Sequence, residues 1–230
     1  MSRGKSNSYS SETGTPKAAV ERLSLYLREL EALLESGQKT ISSHQLGQAL
    51  KITDAQVRKD LAYFGQFGYP GIGYRVEELR ESLRAVLGTD KVWPTALVGA
   101  GNLGRALLGY RGFAGRGFQV TAVFDGDAEM VGKKVLGHEI HPMEDLSRIA
   151  DEKGLVLAIL AVPAAAAEEV ASKVVQAGIV GILNFAPTQL KVPDEVSVIS
   201  VDMALRLEQL AFQVNQRRGH VASPSESKDE

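Results

Sequence analysis

The sequence predicts an α/β protein in two parts, a small helix-rich domain followed by a doubly wound parallel sheet. Three observations predict it. Amphipathic helical patterns with Ser and Thr caps fill the chain ahead of Thr89. The run Ala96-Leu97-Val98-Gly99-Ala100-Gly101-Asn102-Leu103-Gly104 then carries an apolar strand into Gly-x-Gly-x-x-Gly and a helix. Beyond it, apolar runs alternate with helical stretches, as parallel strands and their crossovers require.

With 230 residues, 44% of them hydrophobic and 23% charged, the chain has material for two domains with cores of their own. No apolar run reaches the length of a membrane span. Residues Met1 to Thr15 are polar and Ser-rich without an apolar h-region, so they read as a disordered leader rather than a signal peptide. Residues 216–230 are equally polar and read as a disordered tail. The absence of cysteine excludes disulfides, Cys-ligated zinc and iron–sulfur clusters, and fits a cytoplasmic protein. Net charge is −2, and residues 16–84 hold ten Lys and Arg against nine Asp and Glu. DNA affinity would therefore need cations arranged locally.

In the first domain (residues 16–88), Val20, Leu23, Leu27, Leu30 and Leu34 recur at three- and four-residue spacing, which predicts a helix over 18–36 stopped by Gly37. Ser42-Ser43-His44-Gln45 predicts a capping box opening a short helix to Leu50. After the turn Lys51-Ile52, Thr53-Asp54-Ala55-Gln56 predicts a second box and a helix from Asp54 to Phe64. That helix would bury Val57, Leu61 and Phe64 and expose Ala55 and Lys59, flanked by Gln56, Arg58 and Tyr63. Arg suits guanine edges, Gln suits adenine and Lys suits phosphates. Two short helices around a tight turn, the second one cationic, form a helix-turn-helix. The stretch 65–76 alternates glycines with aromatics and predicts a β-hairpin wing presenting Tyr69, Tyr74 and Arg75. The competing reading is a protein-interaction module with a solvated charged face. Glu77 to Leu87 predicts one more helix, with Leu79, Leu83, Val86 and Leu87 inward and Gly88 as its stop.

The second domain (residues 89–201) opens on the glycine motif of a Rossmann-like sheet. Gly99 permits the tight turn, Gly101 lets backbone amides approach a pyrophosphate, and Gly104 allows helix and strand to pack closely. The new helix adds a positive dipole end. Asp125, ending the apolar strand Val120 to Phe124, stands where an acid binds ribose hydroxyls and repels a 2′-phosphate. The expected ligand is NAD(H), and the competing reading is another nucleotide such as coenzyme A. Leu155 to Val162, Ile179 to Leu183 and Val196 to Val201 predict further strands, and a helix follows over 202–215. Ligands sit beyond the carboxyl ends of such strands, which makes Val162, Pro163, Asn184 and Phe185 candidates for the nicotinamide end. His138 and His141 are expected at the surface, flanking an edge strand. There is no Tyr-x-x-x-Lys pair, no His-Glu-x-x-His metal site and no evident acid–base group. The enzyme alternative, a nicotinamide-dependent oxidoreductase with an accessory N-terminal domain, would need one near the nicotinamide.

The combination resembles the Rex family of bacterial redox-sensing repressors over about residues 16–215. The resemblance is carried by Ser43-His44-Gln45-Leu46-Gly47, by Val57-Arg58-Lys59-Asp60-Leu61-Ala62-Tyr63-Phe64-Gly65 and by Gly71-Ile72-Gly73-Tyr74. The glycine loop and Ile182-Leu183-Asn184-Phe185-Ala186-Pro187 complete it. It implies a non-enzymatic homodimer with a winged helix-turn-helix domain, a Rossmann domain and a last helix exchanged between subunits. It implies binding to palindromic operator DNA in the NAD+-bound or unliganded form and release when NADH accumulates. Arg58 and Lys59 would lie on the recognition helix, and Arg28, Tyr110 and Asp202 would exchange partners between the two states.

Overall fold

The computed structural model describes residues 17–221, so the expected leader lies outside the described residues. The chain divides into two compact units between Lys91 and Val92.

The first unit runs α1 (Lys17–Glu35), β1 (Thr40–Ile41), α2 (Ser43–Leu50), α3 (Asp54–Phe64), β2 (Gly68–Tyr69), β3 (Gly73–Arg75) and α4 (Val76–Leu87). Helix α1 buries Ala19, Leu23, Tyr26, Leu27 and Leu30. Val20, expected on this face, is exposed, and Ala19 beside it is buried instead. Both halves of the capping box of α2 form: Ser42 Oγ accepts from the Gln45 N–H at 3.1 Å, and the Ser42 N–H donates to Gln45 Oε1 at 2.9 Å. Only half of the second box forms. Thr53 accepts from the Gln56 N–H at 3.1 Å, but the Gln56 side chain turns to Asp60 instead. A Cβ on Gly47 would stand 2.7 Å from the Ile52 carbonyl oxygen, so the turn between α2 and α3 closes directly on a residue without a side chain.

Strands β2 and β3 form the expected hairpin, and β1, too short to leave a sequence pattern, adds to it in the order β1-β3-β2. Tyr74, expected on the wing's outer edge, is a correction: it is 8% exposed and joins the core with Leu23, Ile41, Leu46, Val57 and Leu79. Alternate residues of a strand face opposite ways, so with Arg75 outward Tyr74 must point in. Gly68 leaves room for its ring. On α4, Leu79 and Leu83 are buried and Val86 is exposed.

The second unit runs β4 (Trp93–Val98), α5 (Asn102–Leu108), β5 (Phe118–Asp125), β6 (Lys134–Val135), β7 (His138–Pro142), α6 (Leu146–Lys153), β8 (Leu157–Leu160), α7 (Ala164–Gln176), β9 (Gly181–Asn184), β10 (Ser197–Ser200) and α8 (Met203–Val221). The sheet order is β10-β9-β8-β4-β5-β7-β6, parallel except where β6 pairs antiparallel with β7. His138 and His141 therefore lie on an inner strand, with β6 the edge, and the His141 ring rests 5.8 Å from that of Phe124. Ala158, Ile159 and Leu160 are all buried, as an apolar run covered on both faces requires. From β4 the chain moves out to β5 and β7, then crosses to β8 on β4's other flank. The carboxyl ends of β4 and β8 thus form the switch point where a ligand crevice opens. Helix α8 runs to Val221, so residues 216–221, expected in a disordered tail, are helical. Its Met203, Leu205, Leu207, Leu210, Phe212 and Val214 are exposed.

Candidate DNA-binding surface and dinucleotide site

On the first unit, α3 exposes Ala55, Arg58, Lys59 and Tyr63, as the helical period predicts. His44 is exposed near the start of α2, and Ser43 is half-buried beside it. Arg58 Nη1 donates to Ser43 Oγ at 3.0 Å and to Asp54 Oδ2 at 2.7 Å, so one guanidinium nitrogen ties α3 to α2. At the wing, Arg75 lies 4.9 Å over the Tyr69 ring. Glu78 accepts from both, from Arg75 Nη1 at 2.8 Å and from the Tyr69 hydroxyl at 2.9 Å. The Arg75 guanidinium, then the phenol, hold the Glu78 carboxyl below its ordinary range.

Gln56, expected to face outward, is a correction, for its amide serves the interior. Asp60, 3% exposed, accepts from Arg22 Nε at 2.5 Å, Arg22 Nη2 at 2.7 Å, the Tyr26 hydroxyl at 2.7 Å and Gln56 Nε2 at 2.7 Å. Burial alone would raise the Asp60 carboxyl. The bonds from Arg22, Tyr26 and Gln56 outweigh it and hold the group below the ordinary carboxylate range. Burial and the bond to Asp60 push the Tyr26 phenol up. Sequence reading missed this cluster. Its only trace is a pair of i,i+4 polar spacings, Arg22/Tyr26 and Gln56/Asp60, on helices otherwise read for their apolar stripes.

On the second unit each glycine of the loop does what its position demands. Gly99 has φ +96° and a Cβ there would stand 2.5 Å from the Ala161 carbonyl oxygen, so only glycine makes the turn against the β8 end. A Cβ on Gly104 would overlap the Gly99 carbonyl oxygen. A Cβ on Gly101 would meet nothing within 4 Å, so this residue has open space beside it. Asp125 Oδ2 accepts from the Ala100 N–H at 2.7 Å, and its Oδ1 from the Asp127 N–H at 2.9 Å. Arg105, which sequence reading passed over, donates from Nε to the Ala100 carbonyl at 3.0 Å. Ala100 is therefore pinned through both its backbone groups.

The other candidates divide. Val162 reaches the glycine turn, with Cγ1 3.0 Å from where a Gly99 Cβ would stand, and Pro163 opens α7. Phe185 packs in one apolar cluster with Leu97, Ala100 and Ala161. The Asn184 side chain is fully buried: Nδ2 donates to the carbonyls of Ala186 at 3.2 Å and Thr188 at 2.9 Å, and Oδ1 accepts from the Ala186 N–H at 2.9 Å. That amide builds the turn after β9, a correction to its place as a ligand contact. Asp202 Oδ1 accepts from the Leu205 N–H at 3.0 Å and caps α8. Tyr110 is exposed with its ring edge-on to Phe113, and Arg28 is exposed on α1. Among the described residues no three His, Asp or Glu gather as a metal site, and no helix is long and apolar enough to cross a membrane.

A winged helix with an outward cationic helix, followed by a glycine-loop nucleotide fold, defines the class of transcriptional regulators that carry a nucleotide-responsive second domain. The family model described as "Putative DNA-binding protein N-terminus" matches residues 14–62, and that described as "CoA binding domain" matches 90–188. The redox-sensing transcriptional repressor Rex of Carboxydothermus hydrogenoformans is 49% identical over 199 residues, which is 86% of this chain and 96% of that protein. The Rex of Streptomyces coelicolor is 44% identical over 210 residues, 91% of this chain and 81% of that protein. The chain belongs to the Rex family of redox-sensing transcriptional repressors. Among solved structures, RSP in complex with β-NAD+ and operator DNA matches with a TM-score of 0.86 at 37% identity, covering 90% of this chain and 95% of that one. RSP in complex with β-NADH matches with a TM-score of 0.81 at 35% identity, covering 90% and 97%. Relatives that are repressors over nearly their whole length favour that reading over an oxidoreductase or a coenzyme A module.

Proposed function

We propose that this chain is a cytoplasmic, homodimeric repressor that binds palindromic operator DNA and lets go of it when NADH fills the glycine loop. One observation carries the reading. The same chain holds Arg58 and Lys59 outward on a capped second helix of a helix-turn-helix and an open Gly101 at the switch point of a doubly wound sheet. Arg58 reads a base edge and Lys59 a phosphate, with Ser43, His44, Tyr63, Tyr69 and Arg75 around them. The loop 99–104, with Asp125, takes the adenosine and pyrophosphate of the dinucleotide, while Val162, Pro163 and Phe185 flank the nicotinamide end. Helix α8, whose apolar side chains are exposed in the single chain, supports exchange with a second copy.

The coupling follows from dimer shape. Two recognition helices reach successive major grooves only when about 34–36 Å apart. A ligand shifts the population of shapes only by its differential affinity for them, and operator DNA weakens NADH by the same factor. Arg28, Tyr110 and Asp202 are the groups we assign to the exchange of partners. Asp202 spends one oxygen on its helix cap, which leaves the other for a phenol or guanidinium.

The test is binding to a palindromic duplex selected from a random pool by the protein itself, with and without NADH. Arg58→Ala is expected to cost about 1–3 kcal/mol on that duplex. Lys59→Ala is expected to weaken all duplexes alike and flatten the salt dependence by about one unit of slope. Unchanged affinity in both, with the far-UV spectrum intact, removes the DNA-binding reading. Asp125→Ala releases the Ala100 N–H and the ribose acid together. It is expected to weaken NADH by about 1.5–3 kcal/mol and to narrow its preference over NADPH. Calorimetric titration of both nucleotides checks this, and an undiminished preference would place the ribose elsewhere.

A further inference from the structure

We infer that Asp54 is a positioning residue that sets sequence specificity, aiming Arg58 at base edges and withholding it from phosphates. The inference rests on the DNA-binding reading above and assigns a role to a carboxylate that reading leaves idle. Arg58 Nη1 is held from two sides, by Asp54 Oδ2 at 2.7 Å and Ser43 Oγ at 3.0 Å. A guanidinium is a rigid plane with five N–H groups. Engaging Nη1 leaves the Nε–Nη2 edge, which still offers the paired donors that match guanine O6 and N7. The anchors sit on the first turn of α3 and the first residue of α2, so the plane's direction is fixed by both helices of the helix-turn-helix. An arginine ordered before binding loses less freedom on contact, which favours the one geometry it is ordered for.

Charge acts in the same sense. The Arg58 guanidinium holds the Asp54 carboxyl below its ordinary range, so it stays ionised at neutral pH. Sequence-independent binding is almost wholly attraction to phosphates. A carboxylate beside the reading arginine therefore penalises non-specific duplexes more than the operator, where the base contact compensates. Lys59, the next residue, has no side-chain hydrogen bond or ion pair among the described residues and is the freer phosphate contact. An i,i+4 pair that served only the helix would make no such distinction between duplexes.

The experiment is a double-mutant cycle of Asp54→Asn and Arg58→Ala, reading affinity for the selected palindrome and for a random duplex at several salt concentrations. Asp54→Asn alone is expected to tighten the random duplex and lower the ratio of palindrome to random affinity about tenfold, with the random-duplex salt slope steeper by about one. In the Arg58→Ala background the ratio is expected to stay within about twofold. Ser43→Ala, which removes the neutral anchor and leaves the cap of α3 untouched, is expected to lower the ratio in the same direction and keeps the test open should Asp54→Asn unfold. An unchanged ratio with Arg58 present, or an equal fall with Arg58 absent, overturns the inference while leaving DNA binding intact. A wild-type protein that prefers no duplex overturns the DNA-binding reading itself, and this inference with it.

Discussion

Asp60→Ala is expected to remove a large share of the stability of the N-terminal unit. The substitution leaves the Arg22 guanidinium, the Tyr26 hydroxyl and the Gln56 amide without their common acceptor in the space between α1 and α3. Tyr26 is fully buried and Arg22 is only 25% exposed, so water replaces little of what is lost. Breaking a buried pair by removing one partner costs about 3–5 kcal/mol, against a total of about 5–15 kcal/mol for a domain. At this size that lowers the midpoint by about 15 °C or more. Operator binding falls with it, since α3 is seated through this acid, while NADH binding, made by the other unit, is retained. Thermal unfolding followed by circular dichroism, with NADH titration beside it, checks both halves. A midpoint within a few degrees of wild type would show that the network contributes little. The double variant Arg22→Met with Asp60→Leu is a useful companion. It removes the charges together, so the ionic part of the loss is expected to be recovered, while the part due to the Tyr26 hydroxyl and the Gln56 amide, which still lack their acceptor, remains.

The same carboxylate fixes a pH dependence. Its folded-state pKa lies below the ordinary value, so the stability it contributes is present above about pH 4 and is lost as pH falls through the depressed value. The gap in midpoint between wild type and Asp60→Asn is therefore expected to be widest near neutrality and to narrow below about pH 4. A gap that is constant down to pH 2 would mean that the group's charge is not what holds the helices together.

How much of this was legible in the sequence depends on whether the controlling physics is local. The capping box at Ser42, the bounds of α3, the positive φ of Gly99 and the contact of Gly104 with the Gly99 carbonyl follow from backbone chemistry within a few residues, and each is readable. Asp60 was not. Within its helix it reads as one more charge on a solvated face, and only the approach of Arg22 and Tyr26 from α1 buries it. Tyr74 misled for a related reason, since aromatic content predicts a strand while the face a residue takes is set by register with β1 and β2. Asn184 looks like a ligand group because of its position after β9, but a buried amide must find hydrogen-bond partners, and the adjacent turn supplies three, two for Nδ2 and one for Oδ1. Helix α8 is legible as a helix, yet its apolar residues are exposed among the described residues, so the pattern within the chain does not say where it packs.

Gly101→Val and Gly104→Val are expected to part company completely, although they differ by one turn of chain in the same motif. At Gly101 the backbone is ordinary, with φ −67°, and a Cβ meets nothing within 4 Å. The free protein accommodates valine there with a stability change of about 0.5 kcal/mol or less. The branched side chain, however, projects into the crevice at the β4 and β8 ends where the pyrophosphate must approach. NADH affinity is expected to fall about 100-fold or more, equivalent to about 2.8 kcal/mol, and the variant should hold operator DNA at NADH concentrations that release the wild type. At Gly104 a Cβ runs into the Gly99 carbonyl, which belongs to a turn already pressed against Ala161. The obstacle is backbone with no side chain to swing aside, so the loop must open and the second unit is expected to lose about 3 kcal/mol or more. Thermal unfolding separates the two variants before any ligand is added, and NADH titration of the preformed operator complex completes the comparison. If Gly101→Val is folded and still releases DNA at wild-type NADH concentrations, the effector does not occupy the glycine loop and the sensor must lie elsewhere in the chain.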